Sequence, residues 1–165
     1  MTILMPPAAN PVTRYPLERA MAAADTAGPT EGDMLRAALA AYGIPSFAAS
    51  WGGVSYLLVA VDHATDEGDA EAGLRLVISS GEDAARPAEE HDEPWSAQLC
   101  APDDDWVGEV FRAPVGLTTA EESAVTAWAL ARWLDREGPA LLELHPRPVF
   151  PLLGAVDDRD VVDGR

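Results

Sequence analysis

The sequence predicts an α+β fold, an antiparallel meander sheet of about five strands flanked by two helices. Short runs of β-branched and aromatic residues recur between clusters of Gly, Pro and Asp, which is the pattern of strands and turns. Two longer stretches follow Thr-x-x-acid starts with apolar residues at helical spacing. Gly and Pro close both of these stretches.

Residues 1–29 hold Pro6, Pro7, Pro11, Pro16 and Pro29, and only Leu17 to Ala24 is compatible with a helix. The expectation is an irregular amino-terminal arm, because proline removes a backbone donor and fixes φ. Thr30 and Asp33 have capping-box spacing, and Met34, Leu35, Ala38, Leu39 and Tyr42 then lie on one helical face before Gly43 and Pro45. A first helix is predicted over 31–42.

The stretch from Ser46 to Asp62 reads as two strands, 46–51 and 54–61, joined at Gly52-Gly53. Two glycines supply the positive φ angles of a tight hairpin. Val54, Tyr56, Leu58 and Ala60 alternate with Ser55, Leu57, Val59 and Val61, so both faces are largely apolar and the second strand belongs near the middle of the sheet. A polar loop follows, then a third strand over 73–80. A further acidic loop leads to strands 95–101 and 106–112, which turn on Pro102-Asp103-Asp104-Asp105.

The second helix is predicted over 119–136. Thr118 and Thr119 each precede a glutamate by three residues, Glu121 and Glu122, giving two candidate capping boxes. Ala120, Ala124, Ala127, Ala131 and Leu134 form one line with Trp128 beside it, and Gly138-Pro139 is the expected stop. Trp133 falls off that line, to be covered by the tail or left at the surface. The domain is thus expected over 30–137, with an extended tail over 138–165 that packs on it and frays at its end.

All 11 basic residues are arginine, set against 28 acidic ones, for a formal charge of −17. A chain without lysine cannot supply a phosphate-loop lysine, a Schiff base or a serine-lysine dyad. The negative charge opposes binding to nucleic acid or an anionic membrane surface, and no apolar run approaches the ~20 residues of a membrane helix. The single cysteine, Cys100, excludes an internal disulfide framework. With no secretory signal at the amino terminus, a cytoplasmic setting is the default.

Candidate sites are few. His91, Asp92 and Glu93, with Glu89 and Glu90, could supply metal ligands or an acid-base pair, although neighbours in sequence do not all turn toward one ion. Asp62, Asp66 and Asp69, with Glu67 and Glu71, offer oxygen ligands for a hard cation, at spacings that depart from an EF-hand loop. Cys100, with His63 or His91 as base, would be a nucleophile; the end of a strand is the usual place of a small buried hydrophobe instead. Asp103, Asp104 and Asp105 occupy a turn, which already explains them, and as partner-binding candidates they stand with Trp106 and Trp133. The five tryptophans belong mostly to the core, and any left outside, with Trp106 and Trp133 the named candidates, would anchor a partner.

The order helix, antiparallel strands, helix resembles the double-stranded-RNA-binding module, and equally the acidic chaperones of type III secretion and their non-secretion relatives. The RNA-binding module places lysines at the start of its second helix, where this chain has Glu121 and Glu122; that contradicts the RNA function. The chaperone resemblance covers acidity, size and element order over about residues 30–136, a level shared by many folds, and implies no particular residue.

The function these observations predict is non-enzymatic: an acidic binding or adaptor protein, chaperone-like, that recognises a protein partner of basic character. It admits a homodimer through a sheet face or edge and indicates no cofactor. The alternatives are a small enzyme or metal-binding protein using loops 62–71 or 89–93, and a mimic of nucleic-acid charge that occupies a basic protein's groove.

Overall fold

The computed structural model describes residues 11–62, 66–81 and 83–144. Its centre is the predicted meander. Strands β1 (Phe47–Trp51), β2 (Val54–Ala60), β3 (Arg75–Ser79), β4 (Ser96–Cys100) and β5 (Trp106–Arg112) lie side by side in chain order, every neighbour antiparallel. Trp51 pairs with Val54 across Gly52 and Gly53, whose φ angles of 60° and 84° are those a two-residue hairpin demands. β5 departs from regular pairing at two bulges opposite β4, which bends that edge of the sheet.

The register sorts the side chains onto two faces. Leu57, Val59, Leu76, Ile78, Ala97, Leu99 and Phe111 point to one side and join the main core cluster. Helices α1 (Pro11–Asp25), α2 (Glu31–Ala41) and α4 (Thr119–Leu144) also feed that cluster and pack on one another. Phe47, Tyr56, Leu58 and Val77 share the other face, and one short helix, α3 (Glu67–Ala72), contacts β2.

Two expectations about the ends of the domain need correction. An irregular arm was expected over 1–29, yet α1 runs from Pro11 to Asp25 with Pro16 inside it. Pro11 as the first residue sacrifices no bond, since the first-turn N–H groups have no helical acceptor. The one bond lost at Pro16 is offset by packing: Ala20 and Ala24, one turn apart, are fully buried where α1 meets α2 and α4. Likewise α4 does not stop at 136 but passes Gly138 and Pro139 to Leu144. Gly138 is the point of close approach to the end of β2, where an added Cβ would stand 3.6 Å from Val61 Cγ1. The extended tail predicted over 138–165 is therefore helical at its start, and its remainder lies outside the described residues.

α4 is enclosed on most of its circumference. Glu122 through Trp128 are all buried, and Trp133 is only 9% exposed as a member of the core cluster. The alanine line was a correct guide to one face, but α4 has neighbours beyond that face, so Trp133 is neither at the surface nor a surface anchor. Among the described residues no helix is long and apolar enough to cross a membrane.

Candidate functional site

Two polar constellations stand out, and they differ in kind. The first is buried. α2 opens with the predicted capping box: Asp33 N–H donates to Thr30 Oγ1 and Thr30 N–H to an Asp33 carboxylate oxygen. The first-turn donors Glu31 N–H and Gly32 N–H are taken by the carbonyls of Arg86 (3.0 Å) and Ala84 (2.9 Å), which satisfies groups that a helix cannot. Contact is so close that a Cβ on Gly32 would lie 2.6 Å from the Ala84 oxygen.

This docking carries the Glu31 side chain into the interior, where Ser80 Oγ donates to Oε1 and His91 Nδ1 lies 2.7 Å from Oε2. The other nitrogen, His91 Nε2, is 2.9 Å from Glu122 Oε2 on α4. Glu122 Oε1 in turn accepts the backbone N–H of Trp95 at 2.6 Å, and the Trp95 ring lies 5.6 Å from the imidazole. Arg86 Nη2 stands 3.8 Å from Glu31 Oε1 and pairs through Nη1 with Asp92 at 2.9 Å.

One imidazole thus bridges two buried carboxylates and locks α2, the loop before β4 and α4 together. Hydrogen bonds to Glu122 and then Glu31 outweigh burial and push the His91 pKa from 6.5 to about 9. At neutral pH the ring is a cation that donates from both nitrogens. With Arg86, two positive groups face the two buried carboxylates Glu31 and Glu122 and the exposed Asp92.

Of the two capping boxes expected on α4, the first forms: Glu121 N–H donates to Thr118 Oγ1 (3.2 Å), and Thr118 N–H to Glu121 Oε2 (2.9 Å). The second does not, because Glu122 serves His91 and Trp95, while Thr119 Oγ1 donates to the Ala88 carbonyl. An open cleft of about 530 Å³ lies at this end of α4. Met21, Met34, Glu89 and Glu121 line it without any convergence of reactive groups.

The second constellation is exposed. Residues 101–105 turn between β4 and β5, closed by Asp104 N–H to the Ala101 carbonyl (3.0 Å) and Ala101 N–H to the Asp105 carbonyl (2.9 Å). Asp104 takes a φ of 66°, a left-handed conformation that Asp tolerates better than most residues. Its carboxylate pairs with Arg75, a buried side chain that also donates to the carbonyls of Gly73 and Ala101 at 3.2 Å each. Asp103 and Asp105 are exposed beside it, and Trp106 follows at 64% exposure with Val107 at 54%.

The remaining sequence candidates fall elsewhere. Asp66 caps α3, accepting the N–H of Asp69 at 3.2 Å; His63 lies outside the described residues. Among the described residues no group of three or more His, Cys, Asp or Glu is placed to hold a metal ion, Asp62, Asp66 and Asp69 included. Cys100 is buried, and loss of solvation raises its pKa, so it is a neutral thiol at the end of β4. Trp51, at the β1 end of the first hairpin, is the most exposed tryptophan at 81%. The chain matches no family model, no curated protein and no solved structure.

Proposed function

We propose that this protein is a non-enzymatic binding or adaptor protein that recognises a protein partner at the β4–β5 end of its sheet. One observation carries the reading: Trp106 and Val107 stand exposed on an edge strand directly after three carboxylates held in a fixed turn. An aromatic anchor rimmed by charge is the usual anatomy of a recognition patch. Because the rim is acidic, the matching partner presents Arg or Lys around a small apolar site, and the net charge of −17 favours its approach.

The chemical alternative has less support. Both His91 nitrogens already face carboxylates, Asp92 pairs with Arg86, and the Cys100 thiol is buried and neutral. The test uses a panel of labelled peptides that pair Arg or Lys with Leu or Phe, read by fluorescence anisotropy against the full chain. Trp106→Ala is expected to weaken the best binder at least about tenfold, as removal of an anchor does. Asp103→Asn with Asp105→Asn is expected to weaken it less and to flatten its salt dependence. Peptide binding that none of these substitutions changes would refute the reading.

A further inference from the structure

The opposite edge of the sheet has a different chemistry. No carboxylate occurs between Asp33 and Asp62, and Arg36 is the one charged residue of that stretch, in a chain with 28 acidic residues. β1, Phe-Ala-Ala-Ser-Trp, lies within it and has no charge, no proline and no bulge along its five pairs with β2. Those are the devices by which edge strands normally resist pairing with another strand.

The register fixes which backbone groups of β1 face outward. Across a two-residue hairpin the flanking pair, Trp51 and Val54, is hydrogen-bonded, and pairs alternate from there. Ser50 and Ser55 therefore form a non-hydrogen-bonded pair. Consistently, the Ser55 carbonyl turns away from β1 and accepts the N–H of Ala84 at 3.2 Å. By the same alternation the N–H and C=O of Ala48 and Ser50 point away from β2, on exposed residues.

We propose that β1 is the seam of a homodimer, two copies pairing antiparallel about Ala49 to join their sheets into one. About that centre Ala48 meets Ser50 of the second copy, so the outward groups of both strands exchange backbone hydrogen bonds. Phe47 then faces the second copy's Trp51 in a closely spaced non-hydrogen-bonded pair on the face opposite the main core cluster. Small residues meet small ones and aromatic meets aromatic, twice over by symmetry, as an isologous interface requires.

Charge selects the occupant. Two chains of −17 repel wherever acidic surfaces approach, and β1 is the edge at which they meet no carboxylate of their own stretch. Arg36, whose Nη2 donates to the Ser46 carbonyl at 3.4 Å, would stand just beyond either end of the seam. The two copies of Ser46 are six residues apart along the strand axis, about 20 Å, so the guanidinium groups are too distant to repel strongly. A basic partner gains nothing from this neutral strand that the β4–β5 turn does not offer better. The homodimer is independent of the partner site proposed above, and either can fail alone.

Sedimentation velocity on the full chain over roughly 1–100 µM is expected to show a species of twice the 17.5 kDa chain mass. Trp51→Lys, at an exposed position, and Ser50→Pro, which removes an outward N–H, should each weaken the dimer at least about tenfold. Trp106→Ala should leave it unchanged. Ala49→Cys places the two thiols across a non-hydrogen-bonded pair with Cα atoms about 4.5 Å apart, within disulfide range. Mild oxidation should link it much faster than Ala48→Cys. A monomer throughout the range, a dimer insensitive to both strand substitutions, or equal cross-linking of the two cysteine variants would overturn the proposal.

Discussion

The buried cluster around His91 and the exposed turn before Trp106 each gather several carboxylates and an arginine, yet they have opposite needs. At the first, the buried Glu31 and Glu122 meet Ser80, the half-buried Arg86, the Trp95 N–H and both imidazole nitrogens. At the second, only Asp104 pairs with a buried cation, and Asp103 and Asp105 are exposed to water. A cluster whose buried carboxylates are each met by several donors holds a fold together, whereas one that is open and beside an aromatic ring has capacity left for a partner. How far a group's hydrogen-bonding demand is already met separates the two better than the residue types do.

The largest expected effect tests the first half of that contrast. His91→Ala leaves two buried carboxylates facing one another without their shared donor. Removing one partner of a buried ion pair costs about 3–5 kcal/mol. Urea unfolding should show that loss in the midpoint, and a loss under ~1 kcal/mol would mean that His91 does not hold α2 to α4.

Gly32→Ala comes next, because the new methyl would meet the Ala84 carbonyl at 2.6 Å and push α2 from the loop that seats Glu31. A cost of about 1–3 kcal/mol is expected from the overpacking. Thermal unfolding monitored by circular dichroism gives the check.

Protonation supplies a graded version of the same test. The folded pKa of His91, about 9, lies above its ordinary 6.5. The stabilisation is therefore complete below pH 6.5 and is lost as pH rises through about 9. Across that window the folded state binds one more proton than the unfolded state, so stability falls by at most about 1.4 kcal/mol per pH unit. Unfolding midpoints of the wild type and His91→Ala should converge toward high pH; parallel curves would show that the imidazole is not the titrating group.

The sheet was legible in sequence because each strand carries its own signal. Two glycines forced the first hairpin, and the Asp-rich turn marked the second, so the meander needed no long-range information. α1 was not legible, since Pro11 and Pro16 mask the one cue, Ala20 and Ala24 one turn apart, and it is contact with α2 and α4 that decides the matter. The His91 cluster lay deeper still. Glu31 and Glu122 stand in the first turns of their helices, where acids are ordinary, and only the tertiary fold brings those turns to one loop. Trp51 was likewise hidden, because a tryptophan closing a hairpin reads equally well as core or as surface.

The smallest effects divide the exposed turn itself. Asp103→Asn and Asp105→Asn should each change stability by less than ~0.5 kcal/mol, as surface substitutions without buried partners do. Asp104 differs because its carboxylate caps the buried Arg75, which retains the Gly73 and Ala101 carbonyls when the acid is gone. Asp104→Ala should cost about 1 kcal/mol for the lost charge-assisted bond, and more because alanine resists the φ of 66°. Asp104→Gly removes the same carboxylate but accepts that backbone freely, and should be less harmful than alanine by about 1 kcal/mol. If the two variants unfold at the same denaturant concentration, turn geometry contributes nothing there. If all three aspartates prove equally dispensable, Arg75 does not anchor the turn, and the fixed rim assigned to Trp106 loses its support.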